Sequence, residues 1–374
     1  MSVTIKKVSS SSELKKFIRF NYELYKENPF SVPDLYDDML NTFSREKNAA
    51  FEFCDADYFL AYKDGKLVGR VAAILNKRAN ETWGKKEVRF GWVDFVNDME
   101  VSDALFKAVE AWGKERGMTS MVGPLGFTDF DAEGMLVEGF EQLSTMATIY
   151  NFPYYPQHME KLGFEKECDW IQYRMPADQG VDEKMEAIAE RMMGRYKVHK
   201  ADFDKLKKDP ESIAKFFKAY NESFDGIVYN FVPFTEEEIA EEVKQIMGQL
   251  DSRLCCVLMD EDDEVAAFGI STACVSRAMQ KAKGRLFPFG WYHVLKAPND
   301  FEHVDLMIQG AAPKWQNTGI SAVFHSMMAR QYKDCGAKWA LANPQIETNT
   351  AVNVWARYEH ELWMRRRCWI KRIR

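Results

Sequence analysis

The hydrophobic pattern along the chain switches repeatedly between a period of two and a period near 3.6, the marks of strand and helix. Residues 3–8 alternate, and the serines Ser9, Ser10, Ser11 and Ser12 can cap a helix that starts near Glu13 and carries Leu14, Phe17, Ile18, Tyr22 and Leu24 on its apolar side. After the break at Asn28-Pro29-Phe30-Ser31-Val32-Pro33, a second short helix begins at Asp34. Residues 59–62 and 66–75 read as a hairpin turning at Asp64-Gly65, because Asp-Gly supplies the positive φ angles of a tight turn. A strand over 89–96, a helix over 101–116 closed by Gly117, and a strand over 119–122 follow.

The second half runs the same order again. A strand over 196–201 precedes a helix over 209–221 with Pro210 in its first turn, and Asn230-Phe231-Val232-Pro233 leads into an acidic helix over 236–247. Residues 254–259 and 264–274 form a second hairpin turning at 260–263; a buried strand over 303–311, a helix over 320–335 closed by Gly336, and a strand over 339–342 complete the plan. Val32-Pro33 answers to Val232-Pro233 and Leu67 to Val265. Gly117 answers to Gly336, so the second copy has gained about twenty residues, which fit 276–299. The division this implies is a first domain over 1–176, a linker with a bridging helix over 177–195, and a second domain over 196–374.

Length agrees with two cores, since 374 residues exceed what one ordinary core holds. A net charge of −7 with mixed signs along the chain argues against nucleic acid as a partner. The six histidines form no HExxH and no cluster of metal-ligand spacing, so no metal is expected. Seven cysteines without a CxxC, a start that has no apolar leader core, and no apolar run of membrane-spanning length predict a cytoplasmic protein with reduced thiols and no integral membrane segment.

The stretch Pro313-Lys314-Trp315-Gln316-Asn317-Thr318-Gly319-Ile320-Ser321-Ala322 lies between a strand and a helix. Unpaired N–H groups at a helix start, with a glycine that lets a ligand approach, suit a pyrophosphate. The alternative is an ordinary loop before an amphipathic helix. The corresponding stretch of the first copy, Asn97-Asp98-Met99-Glu100-Val101-Ser102-Asp103, lacks glycine and crowds three carboxylates at the helix start, where they would repel a pyrophosphate.

In this stretch the sequence resembles the GNAT superfamily, whose acyl-CoA loop follows [QR]-x-x-G-x-[GA]. Gln316 and Gly319 match and Ser321 departs from the small last residue. The resemblance implies an α/β (α+β) fold of two GNAT-like domains in tandem, each a mixed, mostly antiparallel sheet flanked by helices, with acetyl-CoA or another acyl-CoA held by Ala311, Gln316, Asn317, Thr318, Gly319, Ile320, Ser321 and Asn349. Met159-Glu160-Lys161-Leu162-Gly163-Phe164 looks like the family's tyrosine helix with methionine in the tyrosine's place, and Trp355 occupies that place in the second copy.

Tyr358, one turn beyond Trp355, is then the candidate acid, or else a packing tyrosine. Asp305, on the strand before the loop and two residues from His303, is the candidate base, or else the polar end of a strand. In the first copy Asp131, Glu133, Glu138 and Tyr150 lie among aromatics and suit a cationic amine, although a structural loop explains them equally. The basic end at Arg365, Arg366, Arg367, Lys371 and Arg372 is expected to be an exposed final strand.

The inferred activity is acyl transfer from acyl-CoA to an amine by direct attack. One alternative is transfer of a longer chain to a lipid or aminoacyl-type amine, with Phe287, Phe289, Trp291 and Trp355 lining a widened groove. Another is a noncatalytic module that binds CoA or a metabolite. The acceptor is accordingly a small-molecule or lipid amine.

Overall fold

The structure is a computed structural model describing the chain apart from residues 1, 226–228, 237, 241–246, 248–249, 298–299, 350–354 and 374. Two compact units divide it. The first comprises Met1–Ile171, Val275–Leu295 and Trp363–Arg374; the second comprises Gln172–Cys274 and Lys296–Leu362. Two segments that a linear division assigns to the second domain therefore group with the first: the extra stretch after the second hairpin and the C-terminal strand.

In the first unit the helix Ser11–Tyr25 begins at a reciprocal cap. Ser10 Oγ accepts from the Glu13 N–H, and the Glu13 carboxylate accepts from the Ser9 N–H at 2.8 Å. The hairpin Cys54–Lys63 to Lys66–Asn76 turns at Asp64 and Gly65, with φ of 54° and 75°. Its second strand pairs antiparallel with Glu87–Phe95, which pairs parallel with Ser120–Gly123, which pairs antiparallel with the C-terminal strand Glu361–Arg372. The helix Met99–Glu115, capped by Asp98, packs Val101, Leu105 and Val109 on one face of this sheet, and Phe17 and Ile18 cover the other.

The C-terminal strand corrects an expectation. It is not exposed: Met364, Arg366, Cys368 and Trp369 are buried, while Arg365 and Arg367 pair with Glu138 and Asp169. A run of arginines looks like a solvated edge in sequence. Alternation sends every second one to a carboxylate and buries Arg366, whose guanidinium donates to the Ile149 carbonyl.

The second unit repeats the sheet order with strands His199–Lys200, Cys255–Met259, Val265–Ala273, His303–Ala311 and Trp339–Ala342, followed by Arg174 to Pro176. Every pairing is antiparallel except that of 303–311 with 339–342, and the first unit has its parallel step at the same place. The helix Pro210–Phe224, capped by Asp209, lays Phe216, Phe217 and Tyr220 on one face. Ile320–Cys335 covers the other and ends at Gly336, with φ of 74°. The segment expected as a bridge is the helix Glu183–Tyr196, whose Glu186 accepts from Ser326 Oγ at 2.6 Å and pairs with Arg330 inside this unit. The acidic helix expected over 236–247 falls largely outside the described residues, with 237 and 241–246 among those left out.

Inside the first unit Arg70 and Asp94 form a buried ion pair, Nε to Oδ2 at 2.7 Å. Both groups have further partners: Arg70 donates to the Phe17 carbonyl, while Asp94 accepts from Asn21 and from Tyr25 Oη. Removing one partner strands a buried charge, which typically costs about 3–5 kcal/mol. Asp94→Ala should lower stability by about that much in urea unfolding; a change of under about 1 kcal/mol would show that Arg70 finds water or another acceptor.

Candidate functional site

The strand His303–Ala311 carries the candidate site because of a break in its pairing. Against 265–273 the register passes from Ile270 opposite Ile308 to Ser271 opposite Leu306, leaving Met307 as an extra residue. Against 339–342 the parallel pairing stops at Leu306. There Asn343 closes the ladder, its N–H donating to the Leu306 carbonyl at 3.0 Å and its side-chain amide to the Met307 carbonyl at 3.2 Å. Residues 308–311 then continue without a strand on that side among the described residues, and they are half-buried where the rest of the sheet is closed. A bulge with a split leaves backbone donors and acceptors in the middle of a sheet with no protein ladder to satisfy them.

Beyond the strand the chain makes a tight turn into a helix. Pro313–Trp315 form one 3-10 turn, Asn317 and Gly319 take φ of 60° and 97°, and the helix begins at Ile320 with no side-chain cap. The first N–H groups of such a helix have no intrahelical acceptor. A Cβ on Gly319 would stand 3.0 Å from Ile188 Cγ2, so the position needs glycine for both space and φ. The Gln316 side chain donates to the Ala311 carbonyl at 3.1 Å and so braces the turn against the strand end. Thr318 Oγ1 donates to the Trp315 carbonyl, and Trp315 is buried edge-on to Tyr196. Lys314, a residue the sequence motif does not single out, is the cation of this loop and pairs with Asp260 at 3.2 Å.

The first unit has the same bulge and the same split, and it fills them. Its register against 66–76 skips from Arg70 opposite Asp94 to Ala72 opposite Gly91, and Trp92 has φ of 42°. Phe95, opposite Gly69, occupies the place that Gln309, opposite Gly269, has in the second unit. The Phe95 N–H donates to Tyr155 Oη at 2.9 Å and its carbonyl accepts from Tyr154 Oη at 2.6 Å, with the Tyr155 ring stacked on Phe95 at 4.1 Å. Among the described residues no side chain bonds to the backbone of Gln309. The turn is closed as well: Asp98 caps the helix, Lys63 lies 2.6 Å from Asp98 and 2.8 Å from Glu100, and His158 bonds both Asn97 and Ser102.

No family model matches the chain. It is 25% identical over 353 residues to protein YghO of Escherichia coli, covering 92% of this chain and 88% of that protein. It is 26% identical over 365 residues to a bacterial ceramide synthase of Caulobacter vibrioides, covering 93% of this chain and 92% of that one. A tandem GNAT protein from the clavulanic acid biosynthesis pathway superposes with a TM-score of 0.58 over 100% of this chain and 99% of its own, at 11% identity. The glucosamine N-acetyltransferase region of a fungal β-N-acetylglucosaminidase gives 0.58 at 13% identity, this chain spanning 38% of that longer protein. The chain has the tandem GNAT fold.

Within this GNAT fold the remaining candidates take definite places. Asn317 and Thr318 are exposed in the turn; Ile320 is buried behind it, and Ser321 is exposed in the first helical turn. Asn349 is half-buried, and its N–H donates to the Ile346 carbonyl; most of the helix expected after it, residues 350–354, lies outside the described residues. Asp305 is only 4% exposed, and its strand partner is Thr272. Burial pushes its carboxyl up to about 7, moderated by a hydrogen bond with Cys274. Its Oδ2 and the Thr272 hydroxyl are buried with no hydrogen-bond partner among the described residues.

Tyr358 packs on the opposite face of the sheet, because Val304 and Ala273, the neighbours of Asp305 and Thr272, belong to the apolar cluster that Tyr358 adjoins. Its hydroxyl donates to Met185 Sδ at 3.5 Å, and burial raises its pKa. The structure does not bring Asp305 and Tyr358 together. His325, between Phe324, Trp355 and Tyr358, is held down to about 4 by burial.

Of the first-unit candidates, Asp131 spends one oxygen on the Phe127 and Thr128 N–H groups of its own loop, Glu138 pairs with Arg365, and Tyr150 Oη donates to the Phe140 carbonyl. Burial raises the Asp131 and Glu133 carboxyls, and Glu133 Oε1 is buried with no hydrogen-bond partner among the described residues. Phe287, Phe289 and Trp291 are exposed and belong to the first unit, while Trp355 is buried in the second unit and donates to Gln345 Oε1 at 2.6 Å.

Two buried ionisable groups of the second unit, Asp305 and His325, give opposite slopes to stability. An unfolded carboxyl releases its proton near 3.9 while folded Asp305 keeps it to about 7, so stability falls as pH rises through that window. An unfolded imidazole takes a proton below about 6.5 that folded His325 refuses until about 4, so stability falls on acidification there. The difference between Asp305→Asn and the parent isolates the first effect. Its melting temperature relative to the parent should rise from pH 5 to pH 8, by about 4 °C or more; a difference independent of pH would mean that Asp305 is already ionised at pH 5.

Proposed function

We propose that the chain is an acyl-CoA-dependent N-acyltransferase whose acyl-CoA lies on the second unit alone. The observation that carries this reading is the contrast at one position of a repeated fold: the Phe95 backbone is bonded by Tyr154 and Tyr155, whereas among the described residues no side chain bonds the Gln309 backbone, and a capless helix start at Gly319 follows it. A pantetheine arm carries amides that would pair with the open strand edge. The N–H groups near Ile320 and Ser321, with Lys314 beside them, would face the pyrophosphate.

The chemistry is one acyl transfer. The acceptor ammonium gives a proton to Asp305, directly or through one water; the freed amine attacks the thioester carbonyl, forming the C–N bond. Collapse breaks the C–S bond, the amine's remaining excess proton is lost, and the departing thiolate gains a proton to leave as CoA thiol. Asp305 is proposed as the base because its raised pKa leaves it able to accept and return a proton near neutral pH. Tyr358 can act as the acid only by releasing Met185.

A lipid amine is the favoured acceptor class, supported by the relative named bacterial ceramide synthase, since a ceramide is an N-acylated lipid amine. The reading places the protein in the cytoplasm, where acyl-CoA is made; among the described residues no helix is long and apolar enough to cross a membrane.

Isothermal titration with acetyl-CoA and longer acyl-CoAs should give micromolar binding at one site per chain, abolished by Gly319→Glu, which adds bulk and negative charge at the turn. Thiol release with long-chain amines should drop by about 10²-fold or more in Asp305→Asn. The same loss in Tyr358→Phe would make that residue the acid, and a change under about twofold would assign it to packing. Binding without thiol release for any amine would leave a noncatalytic CoA-binding protein; no binding at all would end the transferase reading.

A further inference from the structure

Between Glu264 and Asp300 the chain carries no acidic residue and five basic ones, Arg277, Lys281, Lys283, Arg285 and Lys296, in a protein of net charge −7. Within this stretch the helices Ser276–Ala282 and Gly290–Lys296 flank a turn, and the part up to Leu295 belongs to the first unit. Its base is fixed there: the Gly284 carbonyl accepts from the Tyr36 N–H at 2.8 Å, and the Gln280 amide donates to the Pro29 and Ser31 carbonyls at 2.9 Å each.

The tip is turned out to solvent. Phe287 and Phe289 are 78% and 77% exposed, Leu295 66%, and Trp291 and Tyr292 43% and 47%. Five of the large apolar side chains that the described structure exposes thus fall within nine consecutive residues. The Trp291 indole N–H is satisfied internally by the Pro288 carbonyl, so its ring presents an apolar face. Isolated exposed apolar residues need no explanation, but a cluster of this kind on a firmly anchored base does.

We propose that residues 281–295 form a docking surface for an anionic lipid bilayer. Exposed Phe, Trp, Tyr and Leu are the side chains that settle at the boundary of headgroups and acyl chains, and Lys281, Lys283 and Arg285 beside them match the negative surface. The charge argument favours this occupant: residues 265–299 carry five basic side chains and no acid, and the acids beside the anchored base are Asp34, Asp37 and Asp38, in the segment whose Tyr36 N–H bonds Gly284. A second copy of the chain, itself acidic, would also complement the basic rim, so the test includes the oligomeric state. As a way of bringing the enzyme to a membrane-resident amine the proposal rests on the acyl-transfer reading, while the binding itself does not.

The test is co-sedimentation of the full chain with phosphatidylcholine vesicles with and without phosphatidylglycerol, at low and high salt. The parent should bind the phosphatidylglycerol vesicles in a salt-sensitive way. Phe287→Ser/Phe289→Ser/Trp291→Ser and, separately, Lys281→Glu/Lys283→Glu/Arg285→Glu should each lower the partition coefficient at least tenfold. Acetyl-CoA binding and thiol release with a soluble amine, measured without vesicles, should stay at parent values in both, which separates a failed docking surface from a failed transferase. Parent protein that ignores the vesicles, variants that sediment like the parent, or a parent dimer that the aromatic variant dissolves would each overturn the proposal; the last would identify a second copy as the occupant.

Discussion

Backbone hydrogen bonding is the constraint on which this structure turns. A sheet that splits in its middle exposes N–H and C=O groups that cost free energy unless something pairs with them. Both units make the same split, forced by a bulge that lets one strand leave its parallel neighbour. In the first unit two tyrosine hydroxyls close it, and the closure reaches inward: Tyr155 bonds Tyr25, which bonds Asp94, which holds Arg70. Such a network contributes most when every member is satisfied, and here both the N–H and the carbonyl of Phe95 are already bonded by the chain's own side chains. In the second unit apolar Ile270 opposite Ile308 stands where the first unit has its ion pair, and among the described residues no strand pairs residues 308–311 on the other side.

Electrostatics at the two helix starts follows the same division. Asp98 and Glu100 neutralise the positive end of one helix and are themselves paired with Lys63, so that end is complete without an anion. The other begins at Gly319 with no acid in its first turn and no cap. The two copies of one plan thus differ at the same place, with a capped and paired helix start in the first and an uncapped one in the second.

Much of the fold is legible in the sequence because it depends on local chemistry. Asp64-Gly65 dictates its turn through positive φ, Asp209-Pro210 starts a helix, and Gly336 ends one. The glycine of the candidate cradle is legible for the same reason. What is not legible depends on distant partners. Tyr154 and Tyr155 look like ordinary aromatics until the topology lays them against Phe95, nearly sixty residues earlier. Arg366 reads as surface until Glu361–Arg372 is found paired with the strands Ser120–Gly123 and Met135–Glu138 of the first unit. The raised carboxyl of Asp305 comes from burial, which a two-residue spacing with His303 cannot reveal, and the separation of Asp305 from Tyr358 follows from strand alternation combined with helix packing.

Hydrogen exchange of backbone amides, with and without an acyl-CoA, puts the asymmetry between the two copies to the most direct test. The account predicts new protection in residues 307–322 and none in 95–103, whose amides are already bonded by the chain itself. Protection arising in 95–103, or appearing equally in both stretches, would contradict the claim that only the second unit offers its split edge to a ligand.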